Sequence, residues 1–373
     1  MNPVLADLDA WSKESSRVLR PLPASLYTSK ELLKQEVLNL FYRQWVCAGH
    51  ISEISAAGDY FTFDLVDKPL LIVRDNDNNV RAYSNVCRHR GTLLAVGAGN
   101  KSMFSCPYHA WTYDLSGCLR SAPHMDKDKV AGIYLPEYPV EIWQGLIFVS
   151  VNPDVDPLSP QLEVLAERMS PYNIADYVVV ERSEVEVACN WKVLVENFCE
   201  SYHVFAVHAE TLEQGAPTIS TKVLEGGKGF NHHTMHLNTT EYGESILLRL
   251  PYHLRESVHL ICIYPCSVFS LDPASVIWLS IRPTGPQSLK YTLQIALHTD
   301  EGSDLTQDLI DFHKDMAKTF MAEDKTTIEL VQRGLASNAG NSGLLHPWER
   351  TNWEFGHYLV RQLLGKDRME PVS

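Results

Sequence analysis

Two stretches of this chain place metal-binding side chains at spacings that ordinary packing does not require. Residues 87–91 read CRHRG and residues 106–111 read CPYHAW, giving Cys87 and His89, then Cys106 and His109. Two thiolates and two neutral imidazoles make a mixed sulfur and nitrogen donor set. Zinc with two Cys and two His is the ordinary reading of such a set. Three features disfavour it. Cys87 and His89 lack zinc-finger spacing, the surrounding sequence reads as short strands, and Gly91 and Pro107 flank the ligands where tight loops must fold over a cluster. The remaining cysteines, Cys47, Cys118, Cys189, Cys199, Cys262 and Cys266, have no partner spacing and read as small buried hydrophobes.

The second stretch, residues 190–208, reads NWKVLVENFCESYHVFAVH. On one regular helix Glu196, Glu200 and His203 share a face. His208, five residues past His203, is then rotated by about 140° off that face. Both imidazoles reach one metal only if the helix bulges or ends between them. The His-to-His spacing of zinc proteases is absent. Two His and one carboxylate on one side of Fe(II) leave positions open for dioxygen and substrate. The carboxylate must come from elsewhere in the chain. His232, His233 and His236 also cluster, but on a strand they spread over both faces and read as pocket or surface residues.

The elements that must position these groups follow from periodicity. A helix is expected near 29–44, capped by Thr28 with Glu31, and burying Leu33, Val37, Leu40 and Phe41. From Trp45 to about Asn152, runs such as YFTFDLV and PLLIVR alternate with turns such as DNDNN, a small all-β domain. DNDNN is not a calcium loop, because the later Glu of an EF-hand is missing. NPDVDPLSP marks the boundary. Beyond it come a strand at 178–187, a helix at 191–205 and strands over 218–299. Helices follow at about 304–320, 324–335 and 353–364, the last ending before Gly365. The fold class is α+β, with domain limits of 41–155 for the first unit and 1–40 plus 156–373 for the second.

Bulk composition narrows the function. The chain has 373 residues, 45% hydrophobic and 21% charged, with a formal net charge of −14. An acidic balance argues against nucleic-acid binding. No stretch approaches the ~18 apolar residues of a membrane span. The N-terminus lacks a secretory pattern, which makes a cytoplasmic location the expectation, and the eight cysteines are not a disulfide framework.

C-x-H-R-G with C-P-Y-H-x-W resembles the Rieske [2Fe–2S] domain of non-haem-iron oxygenases. The segment N-W-K-x3-E-N-x2-[DE]-x-Y-H-x4-H of the same oxygenases matches throughout. The resemblance covers nearly the whole chain. It implies that Cys87 and Cys106 bind one iron of the cluster and His89 and His109 the other. It implies a mononuclear Fe(II) held by His203, His208 and an acidic residue in AEDKTTIELVQRGL, with Asp324 first choice and Glu323 second. The implied fold is a Rieske domain inserted in a catalytic domain of the helix-grip type, assembled as a homotrimer. Electrons would come from a separate NAD(P)H-dependent reductase of the flavin and ferredoxin type.

In ring-dihydroxylating relatives an Asp at position 200 is thought to link one subunit's iron-bound His to its neighbour's Rieske His. Glu200 here resembles the branch that oxidises quaternary ammonium compounds such as carnitine and glycine betaine, with C–N cleavage or N-demethylation. The runner-up is ring hydroxylation of an aromatic acid or hydrocarbon. Asn197, Tyr202, Tyr264 and Phe269, with Trp278 and Tyr242, are pocket candidates, each equally open to a packing role. A stand-alone electron carrier and a metal-free binding module are the readings from other classes. The first leaves residues 190–208 unexplained, and the second leaves the metal ligands unexplained.

Overall fold

The computed structural model describes residues 3–14, 17–238, 244–298, 305–337, 339 and 343–367. Two compact units emerge, Phe41–Leu158 and Met1–Leu40 with Ser159–Ser373.

The first unit is built from three small antiparallel sheets. In the largest, Asp59–Leu65 pairs with Lys68–Arg74, from Tyr60 opposite Val73 to Leu65 opposite Lys68. Alternation along these strands buries Phe61, Phe63 and Leu65 on one side. The DNDNN run is the expected turn: the Asp75 side chain accepts from the N–H groups of Asp77 and Asn79. Leu71, Val73, Tyr83, Phe104 and Tyr113 share one core with Cys87 and Cys106. The loops carrying those cysteines are therefore anchored on packed aromatic and branched side chains.

The second unit centres on one antiparallel sheet. We number its strands β1 (Val178–Val187), β2 (Lys222–Val223), β3 (Phe230–His236), β4 (Ser257–Ile263), β5 (Ser267–Leu271), β6 (Ser275–Gly285) and β7 (Ser288–Leu297). Their order is β1-β7-β6-β5-β4-β3-β2. A helix at Trp191–Phe198 and a long helix at Gln307–Leu335 pack together on it. The fold matches the expected α+β class.

Local chemistry accounts for where these helices begin and end. Asn190 caps Trp191–Phe198 by accepting from Lys192 N, and its own N–H donates to Gln332 on the long helix. Trp191 Nε1 donates to Glu36 Oε2 at 2.8 Å, and Lys192 Nζ pairs with Glu36 Oε1 at 2.6 Å. The Asn-Trp-Lys triplet thus ties the helix start to Gln332 and to Glu36. The final helix, Arg350–Leu364, ends on Gly365 at φ +65°, where the left-handed conformation favours glycine.

Four expectations need correcting. The N-terminal helix is capped by Ser29, not Thr28. The α-helix runs from Lys30 to Glu36, and a wider turn continues over Val37–Phe41. The helix at 191–205 ends at Phe198. Glu196 therefore does not share a site with Glu200 and His203. It is half-buried, and it accepts from Tyr27 Oη at 2.7 Å. The helices expected at 304–320 and 324–335 are one, because Met321, Ala322 and Glu323 contain no breaker.

The Lys192–Glu36 pair is almost fully buried. Removing one partner strands a buried charge, which costs about 3–5 kcal/mol. Glu36→Ala should lower unfolding free energy by that amount in chemical denaturation, and Glu36→Met with Lys192→Met should restore most of it. A loss below about 1 kcal/mol in the single variant would show that the pair is dispensable.

Candidate metal centres and substrate cavity

In the first unit, two loops present the Cys and His side chains as pairs. Cys87 N donates to Thr92 O, and Gly91 N returns to Cys87 O, closing a tight loop with Gly91 at φ +79°. In the second loop, Cys106 N donates to Trp111 O and Ala110 N to Cys106 O. The two cysteines are buried and the two histidines exposed. The His89 and His109 rings lie 4.6 Å apart, and His89 stacks on Trp111. Burial pushes the Cys106 thiol up. The N–H groups of Tyr108 and His109, with Cys87 and Thr92, outweigh burial and lower it overall. Donors aimed at sulfur favour the thiolate that a metal needs. Tyr113 Oη lies 3.5 Å from Cys87 Sγ and accepts from Arg88 N. Paired thiols inside and paired imidazoles outside fit a [2Fe–2S] cluster with one sulfur-ligated and one nitrogen-ligated iron.

In the second unit the chain leaves the helix at Phe198 and re-enters a short one at Val204–Val207. His203 is its N-terminal cap and His208 follows its end. This break resolves the 140° mismatch of the sequence. Both imidazoles face Asp324 on the long helix. His208 Nε2 lies 3.0 Å from Asp324 Oδ1, and His203 Nε2 lies 3.6 Å from the same atom. Donor atoms of His203, His208 and Asp324 fall within 4.8 Å of one another, close enough to hold one ion.

Each imidazole is held from behind by another carboxylate. His203 Nδ1 lies 2.6 Å from Glu200 Oε1, and His208 Nδ1 lies 2.7 Å from Glu323 Oε2. Thr211 Oγ1 donates to the same Glu323 oxygen. Glu200 Oε2 accepts from the N–H groups of Tyr202 and His203. This arrangement puts the proton on Nδ1 and leaves Nε2 free for a metal. Burial opposes charging His203, but the hydrogen bond and charge of Glu200 and the charge of Asp324 outweigh it, so its pKa is raised. His208 is likewise opposed by burial and raised overall by Asp324 and Glu323. A site that draws protons onto two imidazoles is one that a cation would fill. Asp324 stands between the imidazoles and Glu323 stands behind one of them.

These groups line a cavity that is partly open to solvent. Asn197 lines it. Four other pocket candidates, Phe269, Trp278, Tyr264 and Tyr202, are not among its described lining residues. Phe269 faces Trp278 across β5 and β6 on the opposite side of the sheet from Ser270, which does line the cavity. Tyr264 stacks on Tyr358 in the core. Tyr202 is exposed and stacks on His346. Tyr242 lies outside the described residues. The cavity wall instead includes Met316, Phe320 and Asp324 at four-residue intervals along the long helix. That stripe is visible in sequence only when the helix is read as continuous. His233 bonds Ser201 and His232 bonds His259, while His236 is exposed.

A thiol and imidazole loop pair in one unit and a two-His, one-carboxylate group in the other are the donor sets of an iron-dependent oxidoreductase. Residues 44–139 match the Rieske [2Fe–2S] domain, and residues 174–365 match the ring hydroxylating alpha subunit, catalytic domain. The carnitine monooxygenase oxygenase subunit of Acinetobacter baumannii is 32% identical over 84% of this chain and 85% of its own length. The glycine betaine monooxygenase oxygenase subunit of Pseudomonas aeruginosa is 33% identical over 52% of this chain and 46% of its own. The crystal structure of the quaternary ammonium Rieske monooxygenase CntA bound to an inhibitor superposes with a TM-score of 0.82. Its identity to this chain is 26%, covering 95% of this chain and 98% of CntA. The chain belongs to the Rieske-type, ring-hydroxylating oxygenase family. It is a non-haem-iron oxygenase with one [2Fe–2S] cluster and one mononuclear iron per subunit. Among the described residues, no helix is long and apolar enough to cross a membrane.

His203→Ala should lower bound iron from about three to about two per chain and leave the cluster's visible and EPR spectra unchanged. Glu323→Gln should keep the third iron with about tenfold weaker retention. Loss of the cluster signal in His203→Ala, or full iron loss in Glu323→Gln, would contradict these assignments.

Proposed function

We propose that this chain is the oxygenase component of a multicomponent system that hydroxylates a small quaternary ammonium compound at a carbon next to nitrogen. The hydroxylated carbon then leaves nitrogen, so the net result is C–N cleavage or N-demethylation. Two electrons and two protons accompany one dioxygen; one oxygen atom enters the substrate and the other leaves as water. A separate NAD(P)H-dependent reductase, of the flavin and ferredoxin type, would supply the electrons. The observation that carries the reading is a cavity ending on His203, His208 and Asp324, with charged walls that are carboxylates. Carnitine and glycine betaine monooxygenase subunits among its relatives point to the same chemistry.

On this reading Cys87 and Cys106 hold one iron of the cluster, and His89 and His109 the other. His203, His208 and Asp324 hold the mononuclear ion. When bound, the cluster stores single electrons and the lone iron activates dioxygen. The residues do the remaining work. Glu200 and Glu323 fix the tautomer and angle of the two imidazoles. Phe320, Leu260 and Ile277 keep bulk water from the reacting end. Glu200 also carries the proposed contact to a neighbouring subunit's cluster in a homotrimer. Its Oε2 already accepts two backbone N–H groups, so the carboxylate is held in place on its own subunit first. The proposed domain limits are 41–155 for electron storage and 1–40 with 156–373 for oxidation, in a cytoplasmic enzyme. Hydroxylation of an aromatic ring is the second reading. The fold of naphthalene 1,2-dioxygenase from Rhodococcus sp., 20% identical with a TM-score of 0.79, is common to both.

The test is reductase-dependent oxygen uptake by the iron-loaded protein against a panel of quaternary ammonium compounds and aromatic acids. Coupled turnover and amine release are expected with the former. Turnover with an aromatic acid alone would overturn the proposal. Glu200→Gln should cut turnover by about ten- to hundredfold while both metal centres stay loaded. Unchanged turnover would remove the positioning and transfer roles of Glu200 together.

A further inference from the structure

The cavity has two chemically distinct ends. Along the long helix, Asp324 and Met316 mark a wall of about 12 Å, at 1.5 Å per residue. The metal-binding group lines it at Asp324, and Leu260, Ile277 and Phe320 line it as well. Asp272, just past β5, also lines the cavity and is 8% exposed. His233, Leu260, Ser270 and Ile277 stand in one cross-strand row, which His233 ties to Ser201 beside the metal-binding group. Asp272, two residues past Ser270, lies one pleat beyond that row.

The Asp272 carboxylate is fixed before any ligand arrives. Oδ1 accepts from Ala274 N at 2.7 Å and Ser275 N at 2.8 Å, and Oδ2 accepts from Ser275 Oγ at 2.6 Å. A carboxylate offers about four acceptor positions, so one remains, on Oδ2. The described lining residues include no Lys or Arg. Residues 239–243 (TTEYG) and 299–304 (TDEGSD), outside the described set, carry none in sequence. The cation beside this turn, Arg249, is not among the lining residues and commits its guanidinium to Tyr172 O, Tyr177 Oη and Pro273 O. A substrate carboxylate at this end would therefore meet a like charge with no cation on the wall to receive it.

We propose that Asp272 sets the substrate class, resting on the quaternary ammonium reading above. The preferred compound carries a hydrogen-bond donor, an ammonium or hydroxyl group, at the end remote from the metal, and no carboxylate. Asp272 is a specificity residue; it takes no part in the oxidation.

The test is anaerobic calorimetry on the metal-loaded protein with two length-matched pairs: choline against glycine betaine, and (3-aminopropyl)trimethylammonium against γ-butyrobetaine. The donor-ended member of each pair should bind at least about tenfold tighter, more so in the longer pair. Asp272→Asn keeps the turn's acceptor and should reduce the preference below about threefold. Met316→Lys leaves the turn untouched, places an ammonium in the same region and should do the same. Equal or tighter betaine binding, or an unchanged preference in both folded variants, overturns the assignment of Asp272. Failure of all four compounds, with an aromatic acid binding instead, overturns the quaternary ammonium reading on which it rests.

Discussion

The convergence of two imidazole Nε2 atoms on Asp324 Oδ1 is the constraint around which the second unit is arranged. Each imidazole alone could rotate away. Glu200 and Glu323 prevent this by holding each Nδ1. Such a cluster of carboxylates around two histidines is costly when nothing cationic is present, because buried like charges repel. The same cost becomes attraction once an ion sits between them. The scaffold must therefore hold the groups in place before the ion arrives, and much of its internal bonding serves that end.

The tethers are specific. Asn190 ties the start of the Trp191–Phe198 helix to Gln332, eight residues beyond Asp324 on the long helix. Trp191 and Lys192 tie it to Glu36. The helix axis is thereby set from one end, while the other end is released at Phe198. That release lets Glu200, Ser201 and His203 turn toward the cavity. A single unbroken helix would have set His208 about 140° away from His203, so the break is as necessary as the ligands.

Much of this was legible in the sequence, and the limits are physical. The Cys and His loops declare themselves through spacing, because few folds need Cys-x-His followed by Cys-x-x-His. The requirement for a break between His203 and His208 follows from helix geometry alone. Its position does not, since Cys199 and Ser201 are not strong breakers; the hydrogen bonds of Glu200 to the N–H groups of Tyr202 and His203 fix it. Choosing Asp324 over Glu323 depends on which face of the long helix meets the sheet, and adjacent residues differ there by about 100°. The aromatic pocket candidates failed for a related reason. Phe269 and Trp278 pair across neighbouring strands and so share a face, but periodicity does not say which face meets the cavity. Asp272 carries no signal at all in sequence, where it looks like an ordinary turn residue.

The turn at Asp272 shows how one residue can serve structure and selectivity together. Its three accepted hydrogen bonds close the link between β5 and β6, which explains a buried Asp without invoking a ligand. The turn alone needs only an acceptor, which Asn or Ser also provides. A full negative charge, facing an otherwise apolar wall and a second acidic group at the opposite end, is more than the turn requires. Burial makes that charge expensive unless something compensates it. No basic side chain among the described lining residues does so. Arg249, which donates to Pro273 O one residue on, offsets part of it from within the fold. On the cavity wall itself the remaining offset is left to what enters, so the charge that the fold tolerates is the one that selects its occupant.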